Sequence, residues 1–364
     1  MGSIPSGAMR RPGRWTAALA VVGGVYAVVT TLWVLSEPPS LAFDVLLVRS
    51  AGERLLAGEL IYVDPGAASF VDPGPDDFYG PPALAVAGAV LALIPEPVVR
   101  LACFPVSWIV FLVGLAALAR LVGLRRDEAA GVALGAMAAF AVFWGATLGA
   151  SSVWLFGLLA GAIVALGRGS DAAAGLLVGT AAALRIYPVA LLVPLVIAGR
   201  WTAVAAALAA IVGWTALGLL LAGTEATQTF IELLASLQGV EVGSSNIALE
   251  GVARFASIAG GLMVLVWAGL RARRAHDATE VLLAWGLALG GMLLVTPVAW
   301  DHYTTALLPL VVAVVAATGW PAAGLLSAAM LPASLSGGLA IVWLPILGIV
   351  VVLRRTAAVG RTAP

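Results

Sequence analysis

Residues 296–310, TPVAWDHYTTALLPL, place Trp300, Asp301, His302 and Tyr303 side by side in an otherwise apolar stretch. Such a knot is either a loop at a membrane surface or a site. The His302 imidazole is a hydrogen-bond donor or proton shuttle in one reading and a satisfied interfacial histidine in the other. Trp300 and Tyr303 alone read as interfacial aromatics. Asp44, in AFDVLLV, either caps the first N–H groups of a helix or takes the proton of an incoming hydroxyl as a general base. Arg185, in ALRIYPVALL, either snorkels to lipid headgroups or grips a lipid phosphate through paired hydrogen bonds. Arg254 follows Glu250 by four residues and Asn246 by eight, so a helix stacks all three on one face. Its alternatives are an ion pair with Glu250 and phosphate binding. Tyr79 and Tyr187 complete the polar set.

Metal binding has little support, because His302 has no second histidine near it and no HxxE or CxxC spacing. The second histidine, His276, lies among arginines where solvation explains it. There is no Walker loop, no GxSxG, no GxGxxG after a strand and no DxD motif, so neither a cofactor nor a nucleotide is expected.

The elements that position these residues are membrane helices. Hydrophobic residues make up 62% of the 364, charged residues 10%, and mean hydropathy is +1.07, values outside the soluble globular range. The chain reads as a single all-α polytopic membrane domain, 1–364, whose partners are membrane lipids. Net charge is zero and no basic block occurs, so nucleic acid is not a partner. The lone Cys103 has no internal disulfide partner. Residues 1–14, with Arg10, Arg11 and Arg14, form a cytoplasmic tail before a retained anchor at about 15–35. Residues 37–80 form a first extracytoplasmic loop containing an amphipathic surface helix at about 41–57, stopped at Gly58.

Apolar runs continue at 81–95, 98–122, 129–148, 152–167, 172–185, 186–199, 201–222, 247–270, 279–296, 304–318, 322–336 and 338–353. The expectation is about twelve spans, with the shortest runs half-spanning or paired into bent helices. Arg125, Arg126, Arg168, Arg200, Arg271, Arg273, Arg274, Arg354 and Arg355 mark the cytoplasmic side. The stretches near 44, 150 and 185, the loop 223–246 and the stretch near 300 then share the outer face. From an outer Gly80 to an inner Arg125 the chain must cross an odd number of times, yet two apolar runs intervene, so one of them is not a full span.

LLAGELIY (55–62), FYGPP (78–82), ALRIYP (183–188), RW (200–201), NIALEGVAR (246–254) and TPVAWDHY (296–303) follow Asp44 in an order that resembles glycosyltransferase family 87. These are the polyprenol-phosphate-mannose-dependent mannosyltransferases of actinobacteria, with the multispanning GT-C fold. The resemblance implies inverting transfer of mannose from polyprenyl phosphate mannose to a glycolipid or lipoglycan hydroxyl at the outer face of the plasma membrane. It implies Asp44 as catalytic base, and Arg185, Arg254 and His302 around the donor phosphate. Tyr79, Tyr187, Asn246, Trp300, Asp301 and Tyr303 would line the pocket. The chain departs from the family in having VLLVR after Asp44, where a tyrosine is usual, and LGASSVW at 148–154, where a Gln and an Asn are usual. Arg185 stands where lysine is commoner.

The chemistry fits independently. A polyprenyl phosphate carries its own leaving group and membrane anchor, so the protein needs a base on one side of the anomeric carbon and cations on the other. The rival readings are transfer of another polyprenyl-linked sugar such as arabinofuranose, a lipid or solute transporter, and a noncatalytic assembly partner. Against a transporter, the polar groups fall near outer span ends instead of the bilayer midplane, and no inverted repeat is evident.

Overall fold

The computed structural model describes residues 40–63, 77–137, 140–236, 251–296 and 301–318, with isolated positions between 21 and 36. All of its elements are helices: α1 (Phe43–Ala57), α2 (Pro82–Ala92), α3 (Glu96–Leu121), α4 (Arg126–Met137), α5 (Phe140–Leu148), α6 (Ser151–Gly167), α7 (Asp171–Leu184), α8 (Leu192–Ile197), α9 (Trp201–Ser236), α10 (Gly251–Arg273), α11 (Ala278–Val295) and α12 (Leu308–Thr318). Two 3-10 segments, Tyr187–Leu191 and Asp301–Leu307, lead into α8 and α12. The tail at 1–14, most of the 15–35 anchor and the runs at 322–336 and 338–353 lie outside the described residues.

Four helices are long and apolar enough to cross a membrane: Glu96–Leu121, Trp201–Ala235, Arg254–Arg273 and Ala278–Val295. A fifth results if Glu128–Met137 and Val142–Leu148, bent by 61°, form one broken span. The described residues thus account for four or five of the twelve expected spans, and five further apolar helices are shorter. Two apolar runs lie between Gly80 and Arg125, and they differ in length. At 1.5 Å per residue, the 11 residues of α2 cover about 16 Å, half of the roughly 30 Å hydrocarbon core, so of the two only α3 is long enough to cross.

The surface helix ends as its sequence demands. Gly58 takes φ 71° and its N–H closes on Leu55, the left-handed stop that glycine adopts without strain. At the other end Asp44 does not cap. The N-cap is Ala42, with no side-chain hydrogen bond, and Asp44 is the second helical residue. α1 packs on α2 backbone to backbone, since a Cβ on Gly52 or Gly88 would land on main-chain atoms of the other helix. Arg49 donates to the Ile94 carbonyl at 3.2 Å and pairs with Glu53 at 2.8 Å.

The main core lies between α3, α6, α7, α11 and α12, where Phe111 stacks on Phe156 at 4.5 Å. α6 runs from Ser151 down to Gly167 and α7 returns from Asp171 to Leu184. Arg168 therefore lies at the end of α6 opposite Ser151. At that far end Arg200, before α9, donates to Asp171 at the start of α7 at 3.0 Å. α11 starts from Asp277, whose carboxylate accepts the Glu280 N–H at 2.8 Å. His276 is exposed beside it.

Candidate active site

The turn between α5 and α6 is the hub. Gly149 has φ 64°, and a Cβ there would run into Cys103 Sγ and Val45, so torsion and close approach both require glycine. The carbonyl of Thr147, in the same turn, accepts the Ala42 N–H at 2.7 Å. Ala42 is wholly buried at φ 63°, the one described non-glycine residue with a left-handed backbone. For an L-residue that conformation costs about 1–3 kcal/mol and persists only where surrounding structure over-determines it. Its effect is to hold the first turn of α1, which carries Asp44, against the turn between α5 and α6.

Asp44 is partly buried. Burial pushes its carboxyl up to about 6, against the pull of the nearby Arg185 charge. Arg185 directly follows α7 in extended conformation, just ahead of Pro188, and its Nε donates to Ser151 Oγ at 2.7 Å. Asp44 and Arg185 interact electrostatically, yet among the described residues the guanidinium makes no ion pair, and its two NH2 groups are not engaged. Carboxylate and guanidinium are thus close enough to interact without forming an ion pair.

The 3-10 segment Asp301–Leu307 supplies the third wall. Tyr303 stacks on Tyr187 at 5.0 Å and 27°, and His302 meets Tyr303 edge-on at 5.0 Å. His302 and Tyr303 are buried. His302 lies against Gly145 of α5, where a Cβ would sit 3.4 Å from both His302 Cβ and Ser152 Oγ. Burial first, and the Arg185 charge second, lower the imidazole to about 3. His302 is therefore neutral in physiological conditions, offering one N–H donor and one acceptor nitrogen.

Of the residues singled out by sequence, Asp44, Arg185, Tyr187, His302 and Tyr303 converge. Tyr79 packs instead with the apolar cluster of Ile61, Tyr62, Phe78 and Phe230 behind α1. Arg254 sits at the end of α10, where its NH1 and NH2 donate to the Thr296 and Val295 carbonyls at 2.6 and 2.9 Å. Ser257, one turn on, donates to Leu294 at 2.8 Å. Those carbonyls are the last of α11, which have no intrahelical partners. Asn246, Glu250 and Trp300, and the Asp301 side chain, lie outside the described residues.

Sequence reasoning missed Ser151 and Ser152. Their signal was the SS of LGASSVW, two small polar residues two positions after a turn glycine. It also missed an apolar cavity of about 460 Å³, walled by Val45 and Val48 of α1, Leu84 of α2, Leu184 of α7 and one face of α6. That face, Ser151, Trp154, Leu155 and Leu158, follows helical spacing. The cavity thus starts beside Arg185 and continues along hydrocarbon side chains. Cavities of this size and lining hold apolar ligands with a polar group at one end. Among the described residues, no three His, Cys, Asp or Glu side chains gather as metal ligands.

No curated protein matches the chain. The family model for Glycosyltransferase family 87 matches residues 78–297, more than half of the sequence.

Proposed function

The chain belongs to glycosyltransferase family 87, and on that premise we propose that this membrane glycosyltransferase moves mannose from polyprenyl phosphate mannose to a hydroxyl of a glycolipid or lipoglycan, with inversion. The observation that carries the proposal is the juxtaposition of an unpaired carboxylate, Asp44, and an incompletely engaged guanidinium, Arg185, whose neighbours Val45, Leu184 and Ser151 line an apolar cavity. A polyprenyl donor has the matching shape: a hydrocarbon chain, one phosphate, and a sugar beyond it.

In this mechanism Asp44 takes the proton of the acceptor hydroxyl as its oxygen attacks the anomeric carbon. The bond from that carbon to the phosphate oxygen breaks, and its electron pair leaves with the polyprenyl phosphate. Attack opposite the leaving group inverts the centre. Arg185 meets the charge that grows on the phosphate, and neutral His302 donates a hydrogen bond to it. Tyr187 and Tyr303, stacked, form an aromatic wall beside the guanidinium. Arg254 has two donors committed to α11, so in this reading it positions the chain leading to His302. The site opens to the extracytoplasmic face: it lies at the Ser151 end of α6, whereas Arg168, Arg200, Arg271 and Arg273 lie at the other helix ends, as the positive-inside rule requires of cytoplasmic termini.

The test is transfer of labelled mannose from polyprenyl phosphomannose to lipid acceptors, in membranes holding wild type or Asp44→Asn at matched levels. Wild type is expected to transfer and the variant to lose at least about a hundredfold, the scale of a general base. Equal transfer by both would remove Asp44 from the chemistry. Transfer only from another polyprenyl-linked sugar, such as arabinofuranose, would replace mannose and keep the site.

A further inference from the structure

The start of α6 holds three hydrogen-bond donors with nothing to donate to. Ser152 is buried, and its Oγ has no partner. Among the described residues the N–H groups of Ser151 and Ser152 have no acceptor, and the N-cap, Ala150, has no polar side chain to supply one. The Ser151 hydroxyl oxygen accepts from Arg185 Nε. Buried polar groups in native proteins are almost always paired, so an orphan beside a reactive cluster calls for a missing ligand.

The chemistry of that ligand follows from what surrounds the gap. The free groups are main-chain N–H donors, a hydroxyl and the unengaged ends of a guanidinium, and a 17-residue helix directs its positive terminus at the same point. A sugar hydroxyl would bring a proton of its own to a place already rich in donors. An anion with several acceptor oxygens satisfies every group. The apolar cavity begins at Ser151 and follows α6, so the anion is the head of a hydrocarbon chain.

We propose that the N-terminus of α6, through the Ser151 and Ser152 N–H groups and Ser152 Oγ, holds the phosphate of the lipid donor while Arg185 flanks it. This inference rests on the transferase reading above and adds to it a phosphate cradle, with Ser152 as a donor-binding residue. As the bond to the sugar breaks, the electron pair settles on a phosphate oxygen already in contact with these donors. His302 closes the cradle from the α5 side, since both His302 and Ser152 adjoin Gly145.

The experiment measures binding of long-chain polyprenyl phosphate, without sugar, to the purified full-length protein in detergent. The uncharged polyprenol of the same length and inorganic phosphate serve as comparison probes. Ser152→Ala is expected to weaken polyprenyl phosphate binding about ten- to a hundredfold, the scale of one hydrogen bond to a charged group. Polyprenol binding should be unchanged, and Ser152→Thr should restore the phosphate affinity. The unliganded alanine variant should melt no lower than wild type, because it removes an unsatisfied buried group. Wild-type affinity in Ser152→Ala overturns the cradle and leaves the transferase reading standing. Equal weakening for polyprenol and polyprenyl phosphate also overturns it, by placing the effect on the chain instead of the head. Inorganic phosphate competing as well as the lipid overturns the lipid source of the anion. If the wild-type protein binds no polyprenyl phosphate at all, the donor assigned under the proposed function falls together with the cradle.

Discussion

The carboxylate of Asp44 is raised to about 6 by burial, and this gives the proposed base a visible titration. A base must be deprotonated, so kcat/KM should be half-maximal near pH 6, level off above pH 7 and fall about tenfold per unit below pH 5. An unshifted aspartate would hold its plateau down to about pH 4–5. The stability sign runs the other way. A folded-state pKa above the unfolded one means that Asp44 costs stability as pH rises from about 4 to 6. A profile flat from pH 4.5 to 8 would exclude Asp44 as the titrating base. His302 adds no limb in that range, because its imidazole stays neutral down to about 3. The identities of Asp44, Arg185 and His302 were legible in the sequence because an ionisable group among apolar runs is conspicuous. Ser152 was not, since a serine in a membrane helix is ordinary and only its lack of a partner in three dimensions sets it apart.

Among the elements, α11 shows how a helix end is held for a purpose. Arg254 and Ser257 on α10 satisfy the carbonyls of Leu294, Val295 and Thr296, immediately before the chain runs to the 3-10 segment that bears His302. Arg254→Ala leaves two of those carbonyls unpaired and should destabilise the protein by about 1–3 kcal/mol. Melting temperature and turnover should both fall while the KM for donor changes little. A phosphate ligand would show the opposite split, with donor KM rising first. Sequence placed these helices well because apolar runs reveal membrane segments. It could not find the carbonyls that Arg254 reaches, because they belong to another helix more than forty residues on, while Glu250, one turn away in sequence, lies outside the described residues. The same limit applies to Asp44. Its position suggested a cap, but the start of α1 is set by the carbonyl of Thr147.

For the whole molecule, the cavity along α6 makes the length of the lipid donor a variable. Leu158→Trp would fill space at the end of the face that starts with Ser151. Displacing even two methylene-sized groups of a bound chain forfeits about 1.6 kcal/mol, so donor KM should rise at least about tenfold for a long polyprenyl chain. A donor too short to reach Leu158 should be unaffected. Equal KM changes for both would mean that the chain lies elsewhere. The arginines predicted one shared face for the stretches near 44, 150, 185 and 300, and the described residues of these stretches do meet. The count of crossings was less readable, because α2, α6 and α7 are apolar but short, and hydropathy does not distinguish a short span from a helix supported by its neighbours. The hydrogen bond from Ala42 to Thr147 also sets a timetable. The ribosome releases the two partners about a hundred residues apart, a delay of roughly five to twenty seconds at ordinary elongation rates. Throughout that interval the helix with the proposed base exists without its anchor, so the site is assembled by a late docking event after α1 has already been made.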